Sequence, residues 1–318
     1  MSSKIMLVGE PMGLFIAQEE GPLEEVRHYS AAVAGSEFNV AVGLSRLGHE
    51  VGYMTRLGND PFGRMIVRTM RQIGIDTSLI DFHPERRTGF MLKGKTGSGD
   101  PDIFYFRKNS AASTITADDI DKIDFRDYRI LHLTGIFPAL SEATLEAARH
   151  MIRKARENGL LISFDPNLRP QLWPDVPTMV KTLNELAFRA DYVLPGYKEG
   201  KVLAGTEDPE KIAEYYLSHG AKTVLVKLGK KGAYAATRDG GFFSGTYPDK
   251  TVVDTVGAGD GFAVGVLSAV AEGLGLEDAL RRGNAIGTIQ VMSEGDNDGL
   301  PTRRELGCFM AENRQKSV

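Results

Sequence analysis

Two glycine-containing stretches of the sequence have residue types that could bind a phosphate group. The first, RTGFMLKGKT (87–96), matches the phosphate-loop pattern G-x-x-x-x-G-K-[ST] at its four fixed positions, Gly89, Gly94, Lys95 and Thr96. The second, DTVGAGDGF (254–262), has three small residues followed by Asp260. Small residues at the start of a helix leave backbone N–H groups free to bind an anion. Both stretches are therefore candidates for a nucleotide site.

The first stretch fails the structural requirements of a phosphate loop. A working loop follows a buried strand and opens a helix. Here the variable positions are Phe, Met, Leu and Lys, which are typical of a strand. The residues GSGDPD that follow form turns, and IFYFRK after them predicts another strand. We therefore predict a β-hairpin that matches the pattern by chance.

The second stretch satisfies the same requirements. The small residues at 257–259 leave their N–H groups accessible, and apolar residues at helical spacing predict a helix from about Asp260 towards Leu274. Asp260 alone could simply complement the helix dipole, but that would not explain the small residues before it. Phe262 stands where G-x-G-x-x-G needs its third glycine, which disfavours a dinucleotide fold. The stretch predicts an anion hole at a helix N-terminus.

Around these stretches the chain alternates between strand and helix patterns. Continuous apolar runs, for example KIMLVG, YRILHLTG, LLISFD and KTVLVKLG, predict an α/β fold with a mostly parallel central sheet and helices on both faces. Two β-rich segments, about 11–34 and 86–108, interrupt the alternation and predict a small β-sheet lid, with a turn at GKTGSGDPD. Predicted helices include 36–47, one that starts at the N-cap Asp60 with Pro61 and ends at Gly74, and one around 176–190.

The overall composition excludes several classes of function. The 318 residues carry a net charge of −4 and contain no block of Lys and Arg of the kind that binds nucleic acid. The single cysteine, Cys308, cannot form an internal disulfide. The apolar run at 261–271 is shorter than the roughly 20 residues of a membrane helix, and the N-terminal run is too short for a signal peptide. We expect a cytoplasmic protein that binds neither nucleic acid nor membranes.

Four stretches resemble one known family. AGSEFNVAVGLSRLG (34–48) and DTVGAGDGF are similar to the two signatures of the ribokinase-like (phosphofructokinase-B) carbohydrate kinases. RLGNDPFG (56–63) and KLGKKGAY (227–234) follow that family's usual order and spacing. The resemblance covers almost the whole chain and implies a single kinase domain, 1–318, with the ribokinase-like fold. It also implies a phosphotransferase that uses ATP and Mg²⁺ on a sugar hydroxyl.

The resemblance implies a role for each part of these motifs. Asp260 would take the proton of the sugar hydroxyl. The N–H groups of Gly257, Ala258 and Gly259 would hold the charge that develops on the transferred phosphoryl group. The residues implied for ATP binding are Lys227, Gly229, Gly232 and Asn284, the last of which could instead be a solvated residue of a helix face.

The implied metal site departs from the family pattern. Many members carry an N-x-x-E motif, but here Gly196 stands in place of the asparagine while Glu199 is retained. Glu199 could organise Mg²⁺ through water, because Mg²⁺ keeps several waters in such sites, or it could simply start a helix. A monovalent cation near Asp254 is a further expectation that the sequence leaves open.

Within that family the chain is most similar to the 2-keto-3-deoxygluconate kinases (2-dehydro-3-deoxygluconokinases), through IFYFRKNSAAS, FDPNLRPQLW and LPGYKEG. Such a substrate carries a carboxylate, for which a guanidinium is the best bidentate partner. Alternatively, Arg169 pairs with Asp165, while Arg107 and Tyr105 belong to the surface and packing of the lid. The substrate contacts that the resemblance implies are Gly35, Asn39, Phe90, Tyr105, Arg107, Arg169 and Asp296.

Other functions stay open at this point. A fructokinase, a ribokinase or a 2-keto-3-deoxygalactonate kinase would use the same motifs, and the sequence does not fix the epimer at C4. A non-catalytic sugar-acid sensor on the kinase fold is a more distant alternative, because a sensor needs no base. The expected partners are a small sugar acid and ATP. Lid strands leave an edge that invites pairing, so we also predict a homo-oligomer formed through the lid.

Overall fold

The computed structural model describes residues 4–96, 101–248, 252–313 and 315. Its strands are β1 (Ile5–Val8), β2 (Met12–Glu20), β3 (Tyr29–Ala34), β4 (Val51–Gly58), β5 (Ile80–His83), β6 (Phe90–Lys95), β7 (Ile103–Phe106), β8 (Ile130–Thr134), β9 (Leu161–Asp165), β10 (Tyr192–Val193), β11 (Thr223–Lys227), β12 (Ala233–Thr237) and β13 (Gly240–Ser244). Its helices are α1 (Ser36–Arg46), α2 (Pro61–Ile73), α3 (Ala117–Ile120), α4 (Glu142–Glu157), α5 (Val176–Ala187), α6 (Tyr197–Leu203), α7 (Pro209–Ser218), α8 (Ala258–Ala271), α9 (Leu276–Gln290) and α10 (Arg303–Glu312).

Nine strands form the central sheet, in the order β13-β12-β11-β10-β9-β8-β1-β4-β5. The strands from β11 to β5 pair in parallel, and only β12 and β13 add antiparallel partners at one edge. Apolar side chains alternate between two cores, so that Met6 and Val8 pack on one face of β1 while Ile5 and Leu7 pack on the other. Helices cover both faces, as the continuous apolar strands predicted.

The lid is a second sheet of four strands, in the order β3-β2-β6-β7. All four strands fall within the two segments predicted from the sequence. The stretch that matches the phosphate-loop pattern is β6, which pairs with β2 on one side and with β7 on the other. Its backbone groups are used in the sheet, which confirms the predicted hairpin strand. The turn predicted at GKTGSGDPD falls on residues 97–100, which lie outside the described residues.

Most predicted helix boundaries agree with the structure to within a few residues. Asp60 caps α2 by accepting a hydrogen bond from the N–H of Gly63, and Gly74 ends it with φ 89°, as predicted. The predicted start of α8 at about Asp260 is two residues too late, because Gly257 already provides the N-cap in a left-handed conformation. Its predicted end at Leu274 is also too late. The helix ends at Ala271, and Gly273 just after it has a left-handed conformation with φ 71°. No helix in the described ranges is long and apolar enough to cross a membrane.

Candidate active site

A cavity of about 550 Å³ lies between the carboxyl ends of the central strands and the lid. Asp165 and Lys227 are the last residues of β9 and β11, and Gly196 follows β10. From β1 the chain builds the sheet outwards in one direction through β4 and in the other through β8. The cavity therefore lies at the carboxyl ends of the parallel strands, which is the usual side for a ligand in an open parallel sheet.

Most of the predicted catalytic and substrate-binding residues meet at this cavity although they are distant in sequence. The predicted residues that line it are Gly35, Asn39, Tyr105, Arg107, Arg169, Glu199, Lys227, Gly257, Gly259, Asp260 and Asp296.

Asp260 lies in the first turn of α8 and is 9% exposed. Its Oδ1 accepts a hydrogen bond of 2.6 Å from the hydroxyl of Ser36, and its Oδ2 accepts one of 2.8 Å from the amide of Asn39. Both donors come from α1, one helical turn apart. The carboxylate is thereby held in a fixed orientation with lone pairs still available to the cavity.

Each of the two donors is itself held by a further asparagine. The amide of Asn167 donates to the Ser36 hydroxyl (2.7 Å), and that of Asn297 donates to Asn39 Oδ1 (2.8 Å). Asn39, predicted to contact the substrate, thus has its amide engaged with Asp260 on one side and with Asn297 on the other. Ser36, Asn167 and Asn297 were not predicted from the sequence. The only local indication of this network was the i, i+3 spacing of Ser36 and Asn39 in the first signature, which places both side chains on one face of α1.

Burial raises the pKa of Asp260 to about 6, and the nearby carboxylate of Asp165 adds to this effect. The hydrogen bonds from Ser36 and Asn39 and the positive charge of Arg169 act in the opposite direction. A carboxylate with such a pKa is ionised at neutral pH and is still basic enough to accept a proton efficiently.

The pH dependence of turnover should report this value. Because Asp260 must be ionised to act as a base, kcat/KM is expected to rise with pH through an apparent pKa near 6. Ser36→Ala removes a donor that stabilises the ionised form of Asp260. The rising limb of the plot of kcat/KM against pH should therefore move to higher pH, by about one unit. Ser45→Ala removes a hydroxyl from the same helix that donates to Ile73 instead, and should leave the limb in place. A limb that stays fixed or moves down in Ser36→Ala would contradict the assignment.

The N-terminus of α8 has the geometry of an anion hole. Gly257 is the N-cap, with φ 82°, and Ala258 and Gly259 form the first helical positions. A Cβ atom at Gly257 would overlap the main-chain oxygen of Asp296, so only glycine fits this turn. The first N–H groups of a helix have no partner inside the helix, and those of α8 begin at the wall of the cavity.

Lys227 provides a positive charge beside the anion hole. Its Nζ lies 2.6 Å from Asp165 Oδ2. Burial lowers the pKa of Lys227, but the carboxylates of Asp165 and Glu199 outweigh this effect and raise it. The lysine is therefore charged, and it lines both this cavity and the adjacent one described below.

Glu199 caps the N-terminus of α6. Its Oε2 accepts from the N–H of Gly196 (2.7 Å) and its Oε1 from the N–H of Leu168 (2.8 Å). The helix-starting role considered in the sequence analysis is thus present, although the carboxylate also lines the cavity and could still reach a metal through water. Among the described residues, no three His, Cys, Asp or Glu side chains are grouped so as to bind a metal ion directly.

The two predicted carboxylate-binding arginines have different surroundings. Arg107 is buried and its guanidinium contacts Glu10, with Nη2 2.5 Å and Nε 2.6 Å from Oε2. It is therefore not a surface residue of the lid, and it already has a carboxylate partner. Arg169 donates to the main-chain oxygen of Leu168, and within the described residues its guanidinium forms no ion pair. The alternative pairing of Arg169 with Asp165 is not observed, because Asp165 pairs with Lys227.

The structure does not bring the side chain of Phe90 to the cavity. Side chains alternate along a strand, so Met91 and Tyr105 face the cavity while Phe90 lies on the opposite face of the lid. There its ring stacks on Phe106, with centroids 4.6 Å apart, and contacts Phe62. The cavity lining thus gives no support to the predicted substrate contact of Phe90, which stays a prediction.

A second cavity, of about 490 Å³, opens on the other side of the anion hole. Lys227, Thr255 and Gly259 line both cavities. The predicted ATP-binding residues Gly229, Gly232 and Asn284 all line the second one. Asn284 is buried and donates to the main-chain oxygens of Ser244 and Gly245, so it is not a solvated residue of a helix face. The arrangement offers two adjoining compartments with Asp260 and the N-terminus of α8 at their junction.

A family model described as pfkB family carbohydrate kinase matches residues 2–303. The chain belongs to the pfkB family of carbohydrate kinases. A 2-dehydro-3-deoxygluconokinase of Bacillus subtilis (strain 168) is 50% identical over 96% of the chain and 95% of its own length. A 2-dehydro-3-deoxygluconokinase of Thermoproteus tenax is 32% identical over 95% of the chain and 92% of its own length.

Solved structures agree with this assignment. A protein provisionally assigned as ribokinase II from E. coli, in complex with ATP and Mg²⁺, superposes with a TM-score of 0.89 at 27% identity, over 98% of this chain and 99% of that one. A double mutant of fructokinase from Vibrio cholerae O395, with fructose, ADP and potassium ion bound, gives 0.85 at 27% identity, over 97% and 98%. The predicted α/β ribokinase-like fold and the carbohydrate kinase class are confirmed.

Proposed function

We propose that this kinase transfers the γ-phosphoryl group of ATP to the 6-hydroxyl of 2-keto-3-deoxygluconate. The observation that carries the proposal is the junction of the two cavities, where Asp260 stands beside the anion hole of α8 and Lys227. The names of the Bacillus subtilis and Thermoproteus tenax relatives support the same substrate.

A sugar acid is favoured by one cation of the first cavity, Arg169. Arg169 lines it without a carboxylate partner among the described residues, so a substrate carboxylate would satisfy an otherwise unpaired guanidinium. Arg107 is a weaker candidate for this contact because Glu10 already binds it. Its place beside Tyr105, with the guanidinium 5.8 Å from the ring centroid, instead supports a role in holding the cavity wall. Gly35 and Asp296 are kept as proposed substrate contacts.

The proposed reaction follows from these positions. Asp260 accepts the proton of the 6-hydroxyl as that oxygen forms a bond to the γ-phosphorus, and the bond from the γ-phosphorus to the β,γ-bridging oxygen breaks to release ADP. The N–H groups of Gly257, Ala258 and Gly259 bind the oxygens of the transferred group, and the ammonium of Lys227 neutralises charge beside them. The lid covers the sugar cavity and limits the access of water, which would otherwise hydrolyse ATP.

The remaining ATP contacts and the metal are part of the proposal. Gly229, Gly232 and Asn284 would line the nucleotide in the second cavity. Bound Mg²⁺ would neutralise charge on the phosphate oxygens of ATP. Glu199 fits such an ion through water, because its carboxylate has lone pairs beyond the two that accept backbone N–H groups.

The predicted homo-oligomer is also retained as a proposal. Phe104 and Phe106 on β7, the edge strand of the lid, are 63% and 50% exposed. Large apolar side chains on an exposed sheet edge favour pairing with another copy of the chain. The cytoplasmic location stays a prediction from the sequence.

A substrate panel tests the proposal. Release of ADP with Mg²⁺ and ATP should be fast with 2-keto-3-deoxygluconate or its galactonate epimer and slow with fructose or ribose. Arg169→Lys loses the bidentate contact and should raise KM for the sugar acid by about 10- to 100-fold, the equivalent of a hydrogen bond to a charged group. Arg68→Lys, on an exposed face of α2, is the matched control and should change nothing. Equal or faster turnover of a neutral sugar would contradict the proposed sugar-acid substrate, while the assignment as a carbohydrate kinase would stand.

A further inference from the structure

A buried lysine of the lid contacts the region of the anion hole. Lys93 lies on the cavity-facing side of β6, and its side chain is only 3% exposed. Its Nζ is 2.6 Å from Asp254 Oδ2 and 2.9 Å from Asp296 Oδ1. A buried ammonium is costly to desolvate, and removing it would leave two buried carboxylates without their cation.

Both carboxylates are connected to the turn that forms the anion hole. Asp254 Oδ1 accepts a 3.0 Å hydrogen bond from the N–H of Val256, the residue before Gly257. The main-chain oxygen of Asp296 packs against Gly257 itself. The ammonium of Lys93 therefore joins, through one contact each, the two segments that fix the position of this turn.

These residues do not fit a free monovalent cation, the ligand expected near Asp254. The two carboxylates that would attract such an ion already bind the ammonium, and a second positive charge beside it would be repelled. Burial lowers the pKa of Lys93, but Asp296 and Asp254 outweigh burial and raise it, so that the lysine keeps its charge.

We propose that Lys93 is a built-in cation that positions the anion-hole turn, so that the enzyme needs no free monovalent ion for phosphoryl transfer. The proposal rests on the proposed function, because it assumes that this turn binds the transferred group. Lys93 is a positioning residue that acts through Asp254 and Asp296. Because β6 carries Lys93, these contacts also join the lid to the turn.

The first test uses the wild-type enzyme. Its kcat is measured at constant ionic strength with chloride salts of potassium, sodium or choline, the last being too large to enter the site. The expected kcat is the same within about two-fold, because the ammonium supplies the charge in every case. A rise of about ten-fold or more with potassium would overturn the proposal, whatever the variants do.

The second test removes the ammonium. Lys93→Ala and Lys93→Met should lower kcat by about ten- to fifty-fold, with KM for both substrates within about three-fold, because a displaced anion hole acts on the transition state. Adding potassium, methylammonium or propylammonium should raise the kcat of Lys93→Ala by at least about five-fold. Lys95→Ala, on the same strand but exposed, should behave as wild type.

The outcomes separate this proposal from the proposed function. A folded Lys93→Met with the kcat of wild type, or a Lys93→Ala that no small cation restores, would overturn the role of Lys93. If neither variant folds, the salt dependence of the wild type decides. A wild type that phosphorylates a neutral sugar would overturn the proposed substrate, and the Lys93 tests would then be run with that sugar.

Discussion

Replacing Asp260 with asparagine is expected to lower kcat by about 10²- to 10⁴-fold, the usual contribution of a positioned general base. The Kd for ATP should stay within about three-fold of the wild-type value, because the carboxylate lines the first cavity, proposed for the sugar, and not the second, proposed for ATP. Calorimetric titration of the variant with ATP, next to steady-state rates of ADP release, measures both quantities.

The asparagine can be accommodated without disturbing the site. Its oxygen can accept from Asn39, and its amide can donate to the hydroxyl of Ser36, which is able to accept as well as donate. The loss therefore reports the missing base and not a rearranged pocket.

Asp278→Asn is the matched control for the role of Asp260. Asp278 is the third residue of α9, as Asp260 is of α8, and it is exposed. Its replacement removes the same charge from the same helical position, at a cost of a few tenths of a kcal/mol to about 1 kcal/mol of stability. If the two variants had equal kcat, Asp260 would merely complement the dipole of its helix and the base would lie elsewhere.

The parts of the fold that the sequence predicted are those in which local pattern and tertiary packing agree. Buried parallel strands are apolar on both faces, so runs such as Ile5–Val8 could be recognised without knowledge of their neighbours. The cap at Asp60 and the stop at Gly74 are determined by backbone chemistry within one turn. Strand order, by contrast, depends on contacts between distant segments and was not predicted.

The same division applies to the candidate site. The anion hole is a property of consecutive residues, and a local pattern was enough to find it. The network around Asp260 joins Ser36, Asn167 and Asn297, which are up to 261 positions apart and carry no shared motif. The partner of Arg107 was missed for the same reason, because Glu10 follows the first strand while Arg107 follows the last strand of the lid.

Phe90 shows a different limit of sequence analysis. A resemblance transfers a position in the chain, but the direction of a side chain in a strand depends on register. In β6 the neighbouring Met91 points to the cavity, and Phe90 joins Phe15, Phe62 and Phe106 on the other face. A shift of one residue would have exchanged the two faces, and nothing in the sequence of β6 alone fixes that choice.

Replacing Gly257 with alanine should lower kcat by about 10²- to 10³-fold, the cost of losing a donor from an oxyanion-type site. Its φ of 82° is unfavourable for any other L-residue, and the added Cβ would overlap the main-chain oxygen of Asp296. The turn must therefore move, and its N–H groups move with it. The effect should appear in kcat more than in KM, because the displaced groups bind the transferred phosphoryl group most strongly in the transition state.

Gly273→Ala separates the anion hole from the cost of backbone strain. Gly273 also has a left-handed conformation, with φ 71°, and a Cβ there would meet no atom of the described structure within 4 Å. Both variants should lose about 1–2 kcal/mol of unfolding free energy to strain, measured by urea denaturation, with a further loss at Gly257 from the overlap. Only Gly257→Ala should lose turnover. If the loss of kcat followed the loss of stability equally in both variants, the N-terminus of α8 would be structural, and the phosphoryl group would have to bind at another part of the cavity.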